Sequence, residues 1–486
     1  MQPTLIQVVN EAGPLADLSA PAVTFRDLKI ATLHDAQASP RRRLRFSSNF
    51  LPLAGFTAGT RFETKSLGFG KGLELRFATQ GNQKIHLRSY GRRQANPLET
   101  QIDVQSQSLI DDAIPAYTEA CRWAIQYGRI TVTPLKNRVF TIGRSMKKRP
   151  IAERFEAFVG MTSGVDIRLM EDHGFTVRGV LEYRPNEARD TTDRTETGAL
   201  NALANGRNIK VLANQDIYSV DWGLIAKAMG SRDGVLGCAH FSPQCDDFST
   251  LKAIADRERS VANLSSTLDM IVPVIKGIEA LQPATVVIEN VPGFLSSHAS
   301  TIIALQLRRM GYQVSSAVLN GADFGGYTSR KRAYMVASIW PGFTFPEPTG
   351  RNARPILELL GREIERLRDV SGTATMAKAL TTGRARIVKP GDTVAPTITK
   401  SQIRQAKDSV VIDDGKGGLR FVDGLCSKRL MGLETVNTSL VTVDIEAEIV
   451  GQSVEGPMHS ALMRSVHQHI ALNTGEAITG ASARLF

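Results

Sequence analysis

The sequence predicts an α/β protein built on a doubly wound, mostly parallel sheet, carried by residues 151 to about 340. Six segments in that stretch, FEAFVGM, VRGVLEY, DGVLGCAHFS, ATVVIENV, YQVSSAVLN and KRAYMVASIW, are strand candidates of the fully buried kind. Helical stretches lie between several of them, such as residues 261–280 (VANLSSTLDMIVPVIKGIEA). Buried strands alternating with helices imply a sheet wound on both faces, and ligands of such sheets sit outside the carboxyl ends of the strands.

The regions on either side have other textures. Residues 1–150 hold short β-like runs (Arg43–Phe46, Leu73–Phe77, Arg129–Thr133 and Arg138–Ile142) between glycine-rich turns, with one helix expected around Ile110 to Tyr127. SMKKRP at 145–150 reads as a basic linker. Residues 341–419 are looser, with one expected helix from Pro355 to Val370 and several Pro, Gly and basic residues around it. Residues 420–486 regain helical periodicity and are expected to complete the core.

Composition narrows the function classes. A chain of 486 residues accommodates two to four domains. It has no apolar run of membrane-spanning length and no basic segment followed by a long apolar core at its start, so no membrane partner is expected. Four cysteines, at 121, 238, 245 and 426, have neither metal-ligand spacing nor the density of a disulfide framework, which points to a reducing cytoplasm and to no metal. The net charge of +11 is not evenly spread. Residues 1–150 carry 22 Lys and Arg against 11 Asp and Glu, and the remainder is neutral, so the first third is expected to face a polyanion.

The chemistry concentrates at the strand ends. In FVGMTSGVDIRLMEDHGFTVRGVLEYRPNEA (158–188) a strand runs into a turn with Gly160 and Gly164, a helix follows, a second strand ends at Glu182, and a further helix is expected from Asn186. A glycine turn allows close backbone approach to a ligand, and an acid ending the second strand can bind ribose hydroxyls. Asp216 ends a third strand, placed to read an exocyclic amine of adenine. Cys245, Glu289, Arg330 and Arg332 end or open the strands that follow.

In that order these residues resemble the DNA (cytosine-5)-methyltransferase family. The chain supplies Phe158 and Gly160, Glu182, Asp216 with Ile217, Cys245 with Phe248 and Ser249, Glu289-Asn290-Val291, and Arg330 with Arg332. It then supplies Arg429-Leu430 with Gly432, and GQSV at 451–454, so the likeness spans roughly 155–475. It implies a Rossmann-like methyltransferase core at 151–340, a target recognition segment at 341–419 and a C-terminal part completing the core. It implies S-adenosyl-L-methionine as cofactor, held by Phe158, Gly160, Thr162, Glu182, Tyr183, Asp216, Ile217 and Ser453. It also implies double-stranded DNA as partner, with the target base flipped out of the stack. Cys245 would add to C6 of cytosine, turning C5 into an enamine carbon that can accept a methyl group. Glu289 would bond N3 and the 4-amino group, and Arg330 and Arg332 would orient Glu289 or contact O2. Arg351, Arg354, Arg384, Arg386, Lys389 and Lys400 are the expected phosphate or base contacts of the recognition segment.

The chain departs from the family pattern at several points. Gln244 and Asp246 flank the cysteine where Pro and Gln are usual, Asp247 adds a second acid, and acidic neighbours raise a thiol's pKa. Thr162 and Ser163 occupy positions of the cofactor turn usually given to Ile-Gly or Gly-Gly; Thr328 and Gln452 replace Gln and Asn. Two rival readings follow: a relative acting on RNA or a modified pyrimidine or delivering another group, and a catalytically silent DNA-binding regulator. A restriction-modification or mobile-element setting would suit such a chain. A second likeness is local: RLRFSSNFLPLAGFTAGTRFETKSL (43–67) resembles the swapped-hairpin modules of AbrB and SymE type, which implies a homodimer through the N-terminal domain.

Overall fold

The computed structural model describes residues 19–33, 41–90, 92, 98–187, 190–230, 235–249, 254–263, 265–404 and 406–475. The chain divides into two compact units, Met1–Thr141 and Ile142–Phe486.

The first unit is antiparallel. A six-stranded sheet takes the order 24–29, 120–126, 129–134, 73–77, 61–66, 83–84, and a four-stranded sheet the order 31–33, 41–47, 98–104, 86–89. Leu44, Phe46, Phe56, Phe62, Leu73, Leu75, Trp123 and Ile130 fill one core. The stretch 43–67 does form strand, short helix Phe50–Leu53, turn and strand. Its two strands lie in different sheets, with 41–47 on 98–104 and 61–66 on 73–77. Part of the positive charge is committed internally: Arg42 pairs with Asp111, Arg43 with Asp103, Arg122 with Asp27, and Arg129 with Glu74.

Two expectations in this stretch are corrected. The helix expected at 110–127 is only Gln107–Ala113, because Pro115 follows; Ala120–Gln126 is a strand whose Cys121, Trp123 and Ile125 are buried in alternation. Arg138–Ile142 and the linker after it form one helix, Arg138–Lys148. The Asn137 side chain accepts the Phe140 N–H at its start, and Ile142 and Met146, four apart, are buried on one face.

The second unit is built on a seven-stranded sheet: β1 (Glu156–Gly160), β2 (Thr176–Leu181), β3 (Val211–Ala213), β4 (Leu236–Phe241), β5 (Pro283–Asn290), β6 (Gln313–Asn320) and β7 (Lys331–Ser338). Their order is β3-β2-β1-β4-β5-β7-β6, parallel except that β7 runs antiparallel to β5 and β6. Every residue of β4 and β5 is buried, as strands covered on both faces must be. Register sets the site. Gly160 pairs with Leu181 and Phe241, which brings the ends of β1, β2 and β4 level. Because β7 is reversed, its first residues lie at the end of β5, with Asn290 opposite Ala333.

Around the sheet lie α1 (Val165–Glu171), α2 (Thr197–Asn205), α3 (Trp222–Ala228), α4 (Ile254–Ala262), α5 (Ile271–Leu281), α6 (His298–Arg309), α7 (Gly424–Leu430), α8 (Val443–Gln452) and α9 (Gly456–Thr474). The helix expected from Asn186 starts instead at Thr197. Asn186 is a turn residue that accepts the Arg194 N–H, and Arg184 anchors the loop through Asp190 at 2.6 Å and Glu448 at 3.0 Å. The helix expected over 261–280 is two, α4 and α5, with Thr267 N–H captured between them by Asp247.

Residues 341–419 do not form a core of their own alone. Ile356, Leu360, Val388 and Val410 pack in one cluster with Val165 and Leu169 of α1 and with Leu430 and Ile449. A three-stranded sheet (386–388, 410–413, 419–421) covers a smaller cluster of Val370, Met376, Ala379 and Phe421. The helix expected at 355–370 breaks into Ile356–Leu360 and Glu363–Arg366 at Gly361, whose φ is +52°. Among the described residues no helix is long and apolar enough to cross a membrane.

Candidate active site

At the level carboxyl edge of β1, β4 and β5 opens a cleft with about 720 Å³ of free space, counting its open mouth. Cys245, Asp246, Glu289, Asn290 and Arg332 line one part of it; Thr162, Ser163, Asp166, Lys400 and Ser453 line another.

The loop that carries Cys245 is held by its neighbours. The Cys245 carbonyl accepts the N–H groups of Phe248 at 3.0 Å and Ser249 at 2.9 Å, which makes a tight turn just after the thiol. The Asn290 side chain donates to the Pro243 carbonyl at 2.9 Å, so the residue beside Glu289 fixes the loop that carries Cys245. Gly293 is required here: a Cβ would stand 2.3 Å from the Phe248 carbonyl oxygen.

Glu289 is 4% exposed and doubly engaged. Arg332 Nε stands 2.7 Å from Oε1, and the Ser242 hydroxyl donates to Oε2. Arg332 also reaches the Gln452 and Ser453 carbonyls at 3.4 Å, tying the GQSV turn to the carboxylate. Burial pushes the Cys245 thiol up from its ordinary value; Arg332 pulls it back, Asp246 and Glu289 raise it, and Arg330 opposes them.

The two aspartates part company. Asp246 is exposed at the cleft. Asp247 is buried and turned to the scaffold, accepting from Thr267 N–H at 2.7 Å, Ser266 Oγ at 3.0 Å, Thr267 Oγ1 at 3.1 Å and Ser260 Oγ at 3.3 Å. Asp247→Ala orphans these donors and is expected to cost about 2–4 kcal/mol in denaturant unfolding. A loss below about 0.5 kcal/mol would show that the residue is dispensable to the scaffold.

Arg330 is not among the residues lining the cleft. It is 1% exposed and donates to the Ile398 carbonyl at 2.7 Å and the Gly451 carbonyl at 3.0 Å. Arg330 therefore holds the scaffold, while Arg332 faces Glu289. Gln452 lines the cleft, and Thr328 is fully buried in a bridge to Ala395.

The residues expected to hold a cofactor are spread along the same edge. Glu182 is 3% exposed, and its carboxylate accepts from Thr162 N–H at 2.8 Å, Ser163 N–H at 3.0 Å and Thr162 Oγ1 at 3.2 Å. Burial lifts it to about 7 against these bonds. It shapes the turn, in which Met161 and Ser163 adopt positive φ of 64° and 54°. Phe158 is a core ring against Trp222 and Phe241, and Gly160 is small because a Cβ would meet Phe241 at 3.1 Å. Tyr183 is 37% exposed, Ile217 is buried, and Asp216 caps its own turn by accepting Tyr218 N–H at 3.1 Å. A polar turn, two strand-end acids and a partly exposed aromatic ring fit a nucleoside-bearing cofactor, with Thr162 and Ser453 reaching the cleft itself.

Of the cations expected to contact DNA, Lys400 reaches the cleft and stands 3.7 Å from Glu187. Arg386 is spent internally on the Thr397 and Asp408 carbonyls, and Arg354 donates to the Glu358 carbonyl, whereas Arg384 and Lys389 are exposed. Sequence reasoning missed Ser242 and Asp166. Asp166 had a readable signal, an acid between Val165 and Ile167 on a helix following the cofactor turn.

A model of the C-5 cytosine-specific DNA methylase family matches residues 225–412. Over 138 residues the chain is 28% identical to type II methyltransferase M.DdeI of Desulfomicrobium norvegicum, covering 27% of this chain and 30% of that protein. Over 112 residues it is 32% identical to DNA (cytosine-5)-methyltransferase 1 of Mus musculus, covering 22% of this chain and 7% of that one. The matched segments thus span less than a third of these curated relatives. Among solved structures, the Entamoeba histolytica methyltransferase EhMeth shares the fold at a TM-score of 0.51 and 16% identity, over 65% of this chain and 98% of that one. The family match runs through Cys245, Glu289 and Arg332, and together with the curated relatives it supports a place in the DNA (cytosine-5)-methyltransferase family.

Proposed function

We propose that the chain methylates C5 of cytosine in double-stranded DNA, using S-adenosyl-L-methionine. The observation that carries this reading is that Cys245, Glu289 and Arg332 line one cleft with Thr162 and Ser453. When bound, the cofactor supplies an electrophilic methyl group on a sulfonium centre. The Cys245 thiolate adds to C6 of a base brought into the cleft, opening the C5=C6 double bond, and Glu289 bonds the pyrimidine N3 and 4-amino edge as charge develops; once C5 carries the methyl group, loss of the C5 proton to solvent expels the thiolate and restores the double bond. Arg332 holds Glu289 in place and favours the thiolate. Arg330 keeps the surrounding turns closed without touching the base. A duplex cannot enter so confined a site with its bases stacked, so the target nucleotide is flipped out. The basic first unit and the exposed Arg384 and Lys389 supply contacts to the phosphate backbone.

The test is direct. Purified protein is incubated with tritium-methyl S-adenosyl-L-methionine and, in separate reactions, cytosine-rich duplex DNA or RNA, beside Cys245→Ala, and the labelled nucleoside is identified. Label is expected in 5-methylcytosine and absent from the variant. Label in RNA or in another nucleoside would favour the altered-substrate reading. No transfer to any nucleic acid would refute the proposal, and DNA binding without transfer would favour a silent regulator.

A further inference from the structure

Beside the cleft lies a group of buried side chains for which base chemistry has no task. Asp166 on α1, His240 on β4 and His459 on α9 each offer a donor atom, and these atoms all lie within 4.8 Å of one another. Both histidines are 0% exposed and Asp166 is 2% exposed. His240 Nε2 stands 3.5 Å from Asp166 Oδ2, and the imidazole centroids are 5.1 Å apart with their planes at 83°.

Buried ring nitrogens ordinarily find hydrogen-bond partners. Here neither nitrogen of His240 has one, nor has Nε2 of His459. The other nitrogen of His459, Nδ1, is engaged by the Tyr334 hydroxyl at 3.2 Å, which fixes the ring and leaves Nε2 as its available donor. That is how metal-binding histidines are usually held, with one nitrogen on the metal and the other oriented by a polar neighbour.

We propose that Asp166, His240 and His459 bind one divalent transition-metal ion, Zn²⁺ being the best match. Two neutral imidazoles and a carboxylate form a donor set suited to that ion. Tetrahedral bonds of about 2.0–2.2 Å place donors roughly 3.3–3.5 Å apart. The His240–Asp166 pair already meets that spacing, and side-chain rotation of about 1 Å closes the rest. The ion would satisfy the orphaned nitrogens. It would tie α1, β4 and α9 together. Since Asp166 lines the cleft, it would also brace the turn at Thr162–Gly164. No local spacing announces the site, because its three members come from distant stretches of the chain.

Full-length protein, stripped with EDTA, is titrated with Zn²⁺ and separately with Co²⁺. One ion per chain is expected, with a visible absorption band for Co²⁺ and a rise of several degrees in Tm. Asp166→Asn and His459→Ala should each weaken binding about 100-fold or more. Because both variants alter the buried core, Tyr334→Phe is the second probe: it keeps the ring, removes only the hydroxyl that holds His459, and should weaken binding about tenfold. The proposal is overturned if wild-type protein takes up neither ion stoichiometrically, which leaves an internal proton-sharing cluster. It is equally overturned if an ion binds and all three variants, folded by circular dichroism, bind it unchanged.

Discussion

Arg332→Ala is expected to lower methyl transfer by about a thousandfold, at a cost of about 1–3 kcal/mol in stability. Two losses combine. Glu289 loses the guanidinium 2.7 Å from its Oε1 and is free to turn from the base. The thiol loses the strongest influence opposing its burial, so its titration moves to higher pH. Single-turnover transfer of labelled methyl measures the first effect. The pH profile of Cys245 alkylation measures the second, and at a fixed pH near 8 the variant should react more slowly than wild type. Arg332→Lys keeps a charge without the planar fork and should fall between them. Transfer within tenfold of wild type, with an unshifted alkylation profile, would remove Arg332 from the catalytic assignment.

Arg330→Ala is expected to behave quite differently, costing about 3–5 kcal/mol of stability. Its buried guanidinium bridges the Ile398 and Gly451 carbonyls. Lysine cannot span both carbonyls with one ammonium, so Arg330→Lys should rescue little. Where the variant is still folded, in cold dilute buffer, residual transfer per folded molecule should stay within about tenfold of wild type, and the alkylation profile of Cys245 should barely move. Denaturant unfolding beside single-turnover assays separates the two arginines. A stable Arg330→Ala protein without activity would reverse the assignment.

The core sheet was readable because fully buried strands leave an unbroken apolar signature, as in ATVVIENV and KRAYMVASIW. What sequence could not carry was pairing at a distance. Asp247 read as a burden on the thiol, yet its four donors sit at 260–267, where its pull also breaks the long helix expected there. Arg330 and Arg332 are two residues apart in one motif, but the partners that divide their roles, Ile398 with Gly451 and Glu289, lie in other segments. The strand at Ala120–Gln126 was hidden for a different reason. Its alternation of Cys121, Trp123 and Ile125 follows closely on a true helix, and apolar residues at both spacings blur the two periods.

The sheet is finished by the last described part of the chain. In α9, His459 meets Tyr334, His469 meets Ser338, His467 stacks on Phe155 at 3.9 Å, and the Thr474 carbonyl accepts from Arg154. The GQSV turn that Arg332 grips lies just ahead of it. All seven strands of the sheet are therefore synthesised before Phe155 and β7 receive the helix they pack against. Incomplete translation products would lack a closed cleft, whichever strands they already contained.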